Sequence, residues 1–253
     1  MSSDSSRDEE AVEALKLGLE LGMTLIDTAE MYGGGHTEEV VSKVLKGWSG
    51  PVFVASKVSP SHFGYDDVLR SAGRSLERLK VKRMDLYQLH WPNSQIPIEE
   101  TMRAMEKLVK VGMTRYIGVS NFSVEQMEEA QSALSTERIV SNQVEYSLVD
   151  RSIEGDVLRY CQREGMTVIA YSPLGKGRIP RGRGAAFNLI DEIAAEHGKS
   201  RTQVALNWVV RKEPVVTIPK AIDRKHVREN ASAVGWKLTP EDLERLDKSF
   251  PVS

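Results

Sequence analysis

The sequence predicts a single α/β domain, residues 1–253, of the (β/α)8-barrel type, and three observations support this fold class. Seven short segments are apolar and rich in β-branched residues, which indicates buried strands. Amphipathic segments of helical period lie between them, an alternation typical of a parallel sheet covered by helices. The polar ends of most of these strands recur at intervals of roughly 30 residues, the size of one strand–helix unit.

The individual elements follow from the same patterns. The predicted strands are residues 23–27, 51–57, 84–90, 114–120, 139–145, 166–172 and 214–219. The clearest predicted helices are residues 9–20, 37–46, 65–79, 98–111, 123–133 and 153–164. Gly22, Gly112 and Gly165 each stand between a predicted helix and the next strand, and each is followed by Met-Thr. Glycine at this point is the usual left-handed cap of a helix C-terminus.

The predicted strand count is seven, whereas a regular barrel of this type has eight. A polar segment runs from Ser2 to Glu10 and leads directly into a helix, so the first strand is predicted to be missing. Such a loss leaves strand edges unpaired, and unpaired edges invite pairing with another chain. We therefore expect self-association, reduced stability or weakened activity. No Gly-x-Gly-x-x-Gly follows any predicted strand, which excludes the Rossmann fingerprint.

Composition narrows the classes of partner. The formal net charge is -2, so no nucleic-acid partner is expected. No apolar run is as long as a membrane-spanning helix, so no membrane partner is expected either. Cys161 is the only cysteine, which excludes an internal disulfide, and no His/Asp/Glu cluster predicts a metal site. The polar, acidic N-terminus is not a secretory signal, and the cytoplasm is the expected compartment.

Reactive side chains stand where predicted strands end. In barrels of this type the active site lies at the C-terminal ends of the strands. Hydride addition to a carbonyl needs a proton donor for the oxygen, and Tyr32 has a suitable hydroxyl. An ammonium nearby favours the phenolate that remains, and Lys57 is the candidate, with Asp27 as its counter-charge. His90 would bind the carbonyl oxygen and orient it.

The chain resembles the aldo-keto reductase family over nearly its whole length, from Arg7 onward. Seven motifs occur in the family's order: residues 27–32 (DTAEMY), 56–57 (SK), 85–91 (DLYQLHW), 118–122 (GVSNF), 142–146 (NQVEY), 170–174 (AYSPL) and 218–220 (IPK). The resemblance implies a catalytic tetrad of Asp27, Tyr32, Lys57 and His90. It also implies an N-terminal hairpin and first strand, neither of which is recognisable in this sequence.

The resemblance further implies which residues contact a nicotinamide cofactor. The implied cofactor contacts are Thr28, Ser120, Asn121, Gln143, Tyr171, Ser172, Leu174, Lys220, Arg224, His226, Glu229 and Asn230. Trp91 and Phe122 would line the substrate pocket. Members that strongly prefer NADPH often carry Ser or Thr at the position of Ala221 and Arg at that of His226. We therefore expect NADPH with some use of NADH.

The expected activity is reduction of an aldehyde or ketone to an alcohol, or the reverse oxidation, with a small carbonyl or alcohol as substrate. One alternative is a nucleotide-binding regulatory subunit resembling the potassium-channel β-subunits, which share this fold. Sustained turnover of aldehydes would favour the enzyme. A metal-dependent sugar isomerase on the same barrel is a third hypothesis, and a rate unchanged by chelator would exclude it.

Overall fold

The computed structural model describes residues 5–252, and these form two compact units. The first unit extends to Gln143 and the second begins at Val144. A single domain over residues 1–253 therefore stays a prediction. None of the helices in the described range is long and apolar enough to cross a membrane.

The first unit alternates helices and strands. Its elements are α1 (Asp8–Glu20), β1 (Leu25–Asp27), α2 (His36–Leu45), β2 (Phe53–Val58), α3 (Tyr65–Leu79), β3 (Met84–Leu89), α4 (Ile98–Lys110), β4 (Thr114–Ser120), α5 (Val124–Ser132) and β5 (Ile139–Glu145), whose last two residues belong to the second unit. Each strand pairs in parallel with the next, from β1 to β5. The C-terminal ends of β1 to β4 therefore meet at one edge of this unit, where Ser120 of β4 pairs with Gln143 of β5.

The second unit holds the remaining elements. These are α6 (Val157–Glu164), β6 (Thr167–Tyr171), α7 (Arg178–Arg181), α8 (Ala185–Glu196), α9 (Arg201–Val210), β7 (Val215–Thr217), α10 (Arg224–Ala231) and α11 (Pro240–Ser249). Strands β6 and β7 pair in parallel. All seven predicted strands are confirmed.

The described N-terminal segment contains no strand. A 3-10 turn, Ser5–Arg7, leads directly into α1, so the described residues hold seven strands in all. Residues 1–4, which were also predicted to lack a strand, lie outside the described residues.

The three predicted glycine caps are confirmed, since Gly22, Gly112 and Gly165 have φ of +88°, +77° and +64°. At the end of α1 the backbone N–H of Gly22 donates to Leu19 O (3.0 Å) and that of Met23 to Gly18 O (2.9 Å). This closure satisfies carbonyls that the helix itself leaves unpaired.

One predicted helix is wrong in its extent. Residues 153–164 were predicted as one helix, but they form a 3-10 turn, Ser152–Glu154, followed by α6. The break lies at Asp156, whose dihedrals (φ −137°, ψ −68°) are not helical and whose carboxylate accepts the N–H of Val157. Asp favours this N-cap position over a helix interior because its side chain competes for backbone donors.

A buried charge network stabilises the second unit. Glu154 accepts hydrogen bonds from Arg151 (2.9 and 3.1 Å), from the Tyr146 hydroxyl (2.7 Å) and from Lys212 (2.9 Å). Arg151 also donates to the carbonyl of Phe250 at 2.7 Å, which anchors the segment after α11. Burial alone would raise the pKa of Glu154, but these donors outweigh burial and hold that pKa at about 2.

This network makes the folded protein acid-sensitive. The pKa of Glu154 is lowered from 4.5 to about 2 on folding, so its stabilising contribution is full above about pH 4.5 and is lost as the pH falls toward 2. Glu154→Gln is expected to lose on the order of 2 kcal/mol at pH 7 and little at pH 2.5. Urea denaturation at both pH values measures this. An equal loss at the two pH values would contradict the prediction.

Candidate active site

A buried ion pair joins the ends of β1 and β2. Lys57 Nζ donates to Asp27 Oδ2 at 2.5 Å and to the Thr28 carbonyl at 2.9 Å. The Lys57 side chain is 0% exposed and that of Asp27 is 8% exposed. Because an unpaired ammonium is costly in the interior, the pairing predicted from the sequence stabilises the folded chain as well as holding Lys57 in place. The Thr28 hydroxyl lies 2.9 Å from that of Thr37.

Tyr32 begins a tight turn, Tyr32–Gly35, that leads from β1 into α2. Gly33, Gly34 and Gly35 all have left-handed φ (+62°, +63° and +98°), which residues with side chains rarely adopt. The turn brings the Tyr32 ring to 5.0 Å from Lys57 Nζ and to 5.4 Å from the His90 ring, edge to face. The four residues of the predicted tetrad are therefore neighbours in the structure.

His90, which follows β3, is held as a neutral imidazole. Burial, and then the positive charge of Lys57, lower the pKa of His90 from 6.5 to about 4, with Glu30 opposing them in part. Its Nδ1 is buried and has no hydrogen-bond partner within residues 5–252. A neutral imidazole donates from one nitrogen and accepts at the other, so it can bind a carbonyl oxygen without adding charge.

We therefore expect the His90 imidazole to titrate near pH 4 and to stay neutral from pH 5.5 to 8. NMR titration of the histidine Cε1–H resonances measures this, with His90→Gln identifying the signal. A His90 midpoint above pH 6 would contradict the prediction.

Three polar residues predicted to bind cofactor lie next to this cluster. Gln143 Nε2 donates to Asp27 Oδ1 at 2.8 Å. The carbonyl of Gln143 accepts from the Ser120 hydroxyl at 2.8 Å and from the Asn121 N–H at 2.9 Å. The Asn121 side chain donates to the His90 carbonyl at 3.3 Å, and Asn121 is exposed with a φ of +61°. The ends of β3, β4 and β5 are thus connected through side chains.

The two residues predicted to line a substrate pocket differ in environment. Trp91 is 40% exposed, and its ring centroid lies 4.7 Å from that of His90. Phe122 is only 3% exposed, and its carbonyl accepts from Asn142 at 2.9 Å. Trp91 thus presents an apolar surface beside the reactive cluster, whereas Phe122 packs in the interior.

Two carboxylates near the tetrad were missed by the sequence analysis. Glu30 Oε1 accepts from the N–H of Ser59 (2.7 Å) and from His62 Nδ1 (2.8 Å). Glu38, on α2, is 0% exposed. The signal available for Glu38 was its place three residues before Val41 on the buried face of a predicted helix, where a charge requires a partner.

In the second unit, the other predicted cofactor residues follow β6 and β7. Tyr171 is half-buried at the end of β6, and Ser172 has a left-handed φ of +49°. Leu174, also half-buried, precedes Gly175, where an added Cβ would lie 2.3 Å from Val149 Cγ2. The backbone here is therefore tightly constrained.

Around α10 the predicted contacts fall into two groups. Lys220, Arg224 and His226 are exposed cations or potential cations near the helix start. Asp223 caps this helix by accepting the N–H groups of Lys225 (2.7 Å) and His226 (3.3 Å). The other two predicted residues are engaged inside the unit: the carboxylate of Glu229 accepts from the Ser200 hydroxyl, and Asn230 is buried. Across residues 5–252, no three His, Cys, Asp or Glu side chains are grouped as metal ligands.

Comparison with known proteins identifies what the chain is similar to. A model of the aldo/keto reductase family matches residues 1–250. The methylglyoxal reductase YeaE of Escherichia coli is 42% identical over 253 residues, which are 100% of this chain and 88% of that protein. The glyoxal reductase of Bacillus subtilis is 37% identical over 242 residues, 94% of this chain and 83% of that protein.

Solved structures of aldo-keto reductases are also similar to this chain. The thermostable aldo-keto reductase Tm1743, in complex with the inhibitor epalrestat, superimposes with a TM-score of 0.92 at 46% identity and covers 97% of this chain and 89% of that one. An aldo-keto reductase from Klebsiella pneumoniae in complex with NADPH superimposes with a TM-score of 0.93 at 38% identity. The match covers 100% of this chain and 89% of that one. These likenesses confirm the predicted (β/α)8-type fold.

Proposed function

The chain belongs to the aldo/keto reductase family and is an oxidoreductase, and on that basis we propose that it reduces small aldehydes and ketones with NADPH. The observation that carries the proposal is the meeting of Tyr32, His90 and the buried Asp27–Lys57 pair. Carbonyl reduction requires a proton donor, a group that binds the carbonyl oxygen and a positive charge beside the donor, and these residues supply all three. Self-association and a cytoplasmic location stay predictions.

In the proposed reaction the nicotinamide supplies hydride to the carbonyl carbon. Neutral His90 hydrogen-bonds the carbonyl oxygen and orients it. The Tyr32 hydroxyl donates its proton to that oxygen as negative charge builds there, so that the product is an alcohol and Tyr32 is left as phenolate. Lys57, 5.0 Å from the Tyr32 ring, stabilises the phenolate, and Asp27 keeps the ammonium in place.

The residues present fit a nicotinamide cofactor. In the first unit, the amides of Asn121 and Gln143 can exchange hydrogen bonds with a carboxamide. In the second unit, the exposed side chains of Lys220, Arg224 and His226 suit a 2′-phosphate. The capping carboxylate of Asp223 opposes a phosphate at the start of α10, which supports a modest preference for NADPH rather than strict selectivity.

We propose a small, uncharged dicarbonyl such as methylglyoxal as the substrate class. The relatives that are 42% and 37% identical act on methylglyoxal and glyoxal by name. Trp91, exposed beside His90, offers an apolar surface against which a short carbon chain can pack.

The test is the rate of NADPH oxidation by the purified chain with methylglyoxal, glyoxal and a longer aldehyde, followed by identification of the alcohol. We expect sustained turnover with NADPH, slower turnover with NADH and no effect of a metal chelator. NADPH binding without sustained turnover of any carbonyl would instead favour the nucleotide-binding regulatory subunit.

A further inference from the structure

We propose that Gln143 is a positioning residue that fixes the Asp27–Lys57 ion pair, a role beyond its proposed cofactor contact. Asp27 has two carboxylate oxygens, and each faces a different donor. Oδ2 receives Lys57 Nζ at 2.5 Å, while Oδ1 receives Gln143 Nε2 at 2.8 Å. The carboxylate is thus held from β2 on one side and from β5 on the other. The inference deepens the proposed function and depends on it for its catalytic meaning.

Burial makes these two hydrogen bonds strong. Gln143 is 2% exposed, the Lys57 side chain 0% and the Asp27 side chain 8%. In such surroundings a donor that faces an ionised acceptor contributes more than it would in water. Removing the amide would leave Asp27 Oδ1 with an unmet acceptor and free the carboxylate to rotate. Lys57 would follow the carboxylate and move relative to the Tyr32 ring.

The backbone carbonyl of Gln143 also helps to position the segment that carries His90. Its carbonyl accepts both the Ser120 hydroxyl and the Asn121 N–H, and the Asn121 side chain in turn holds the His90 carbonyl. Through these contacts Gln143 connects the ion pair with the segment that carries the imidazole.

The two roles of Gln143 are compatible. A primary amide has two N–H donors and one carbonyl acceptor. The contact with Asp27 uses one N–H, which leaves the second N–H and Oε1 to exchange hydrogen bonds with a carboxamide. A variant that removes the amide is therefore expected to affect cofactor affinity and the rate at saturating cofactor separately.

The kinetic test is Gln143→Met, which keeps the side-chain length and removes the donor. We expect kcat at saturating NADPH to fall roughly tenfold or more, with KM for the carbonyl nearly unchanged. Gln131→Met is the matched control, since the Gln131 amide is also hydrogen-bonded (to Ile139 N and Glu137 O) but lies at the opposite end of β5. This control should leave kcat unchanged.

A double-mutant cycle assigns the effect to Asp27. In an Asp27→Ala background, Gln143→Met is expected to lower kcat by less than about threefold, because its partner is already gone. NADPH affinity is measured in parallel by fluorescence titration. If Gln143→Met weakens NADPH binding but leaves kcat at saturation intact, Gln143 is a cofactor contact alone and the positioning role is wrong.

A measurement on the cofactor-free protein separates this inference from the proposed function. We expect NMR to show one Gln143 side-chain amide proton protected from solvent exchange, unlike those of the exposed Gln95. Gln143→Met identifies the signal. Exchange as fast as that of Gln95 would overturn the inference even if the chain is an active reductase. Protection in a chain that turns over no carbonyl would uphold the geometry and refute the proposed function.

Discussion

Tyr32→Phe is expected to lower kcat for carbonyl reduction by about 10²–10⁴-fold, the usual contribution of a positioned general acid. The substitution removes the hydroxyl and keeps the ring. The edge-to-face contact with His90 at 5.4 Å and the approach of Lys57 at 5.0 Å are both made by the ring. The fold, the ion pair and cofactor affinity should therefore persist while proton donation is lost. Steady-state kinetics and an NADPH titration on the same preparation measure the two effects.

The matched control is Tyr116→Phe. Tyr116 is also half-buried in the first unit, where its ring stacks on Phe53 at 6.5 Å, but it lies in the N-terminal half of β4, away from the C-terminal strand ends. Tyr116→Phe should therefore retain the parent kcat. If Tyr32→Phe kept a third or more of the parent activity, another group would be the proton donor.

The proximity of Asp27 and Lys57 could be predicted from local rules, whereas the roles of the four tetrad residues are what the family resemblance implies. Asp27 and Lys57 end short apolar strands, and parallel neighbours bring such ends to one edge. Lys57 lies in a segment that must be buried, so a carboxylate on an adjacent strand end had to accompany it. Register then follows from the pairing of β1 with β2, which the structure confirms. Pattern and charge were sufficient at these positions.

The contacts around the tetrad could not be predicted, because they depend on which atom of a side chain meets which donor. Gln143 lies 116 residues from Asp27 in the chain, and hydrophobic periodicity says nothing about the orientation of an amide. Glu229 stays a predicted adenine contact, but the hydrogen bond that its carboxylate accepts from the hydroxyl of Ser200, the N-cap of α9, could not be predicted. Capping and side-chain geometry form only when the elements pack.

The contacts of Glu38 could not be predicted from the sequence either, and among these contacts they matter most for stability. It lies near the start of α2, where an acidic side chain is ordinary and normally exposed. In the structure it is 0% exposed, with Arg78 Nε 2.6 Å from Oε2 and the Ser56 hydroxyl 2.5 Å from Oε1. The Arg78 side chain also fills the space over Gly35, where an added Cβ would lie 2.6 Å from Nε. Arg78 thus supports the turn that carries Tyr32.

Arg78→Met is therefore expected to destabilise the protein by about 3–5 kcal/mol, the usual cost of leaving a buried charge without its partner. Urea denaturation measures the loss. The added substitution Glu38→Gln should recover part of it, because the amide carries no charge. Arg74→Met is the control: Arg74 is exposed one turn earlier on α3, donates to Ser71 at 3.0 Å and should cost less than about 1 kcal/mol.

Arg78→Met also tests whether the buried Glu38–Arg78 pair controls the geometry of the candidate active site. Glu38 accepts the hydroxyl of Ser56, which directly precedes Lys57, and the Arg78 side chain packs over Gly35, which ends the turn that Tyr32 begins. If these contacts define the distance between Lys57 and Tyr32, Arg78→Met should lower kcat at a temperature where the variant is still fully folded. A variant that is destabilised but has the parent kcat would show that Asp27 and Gln143 are sufficient to hold the ammonium in place.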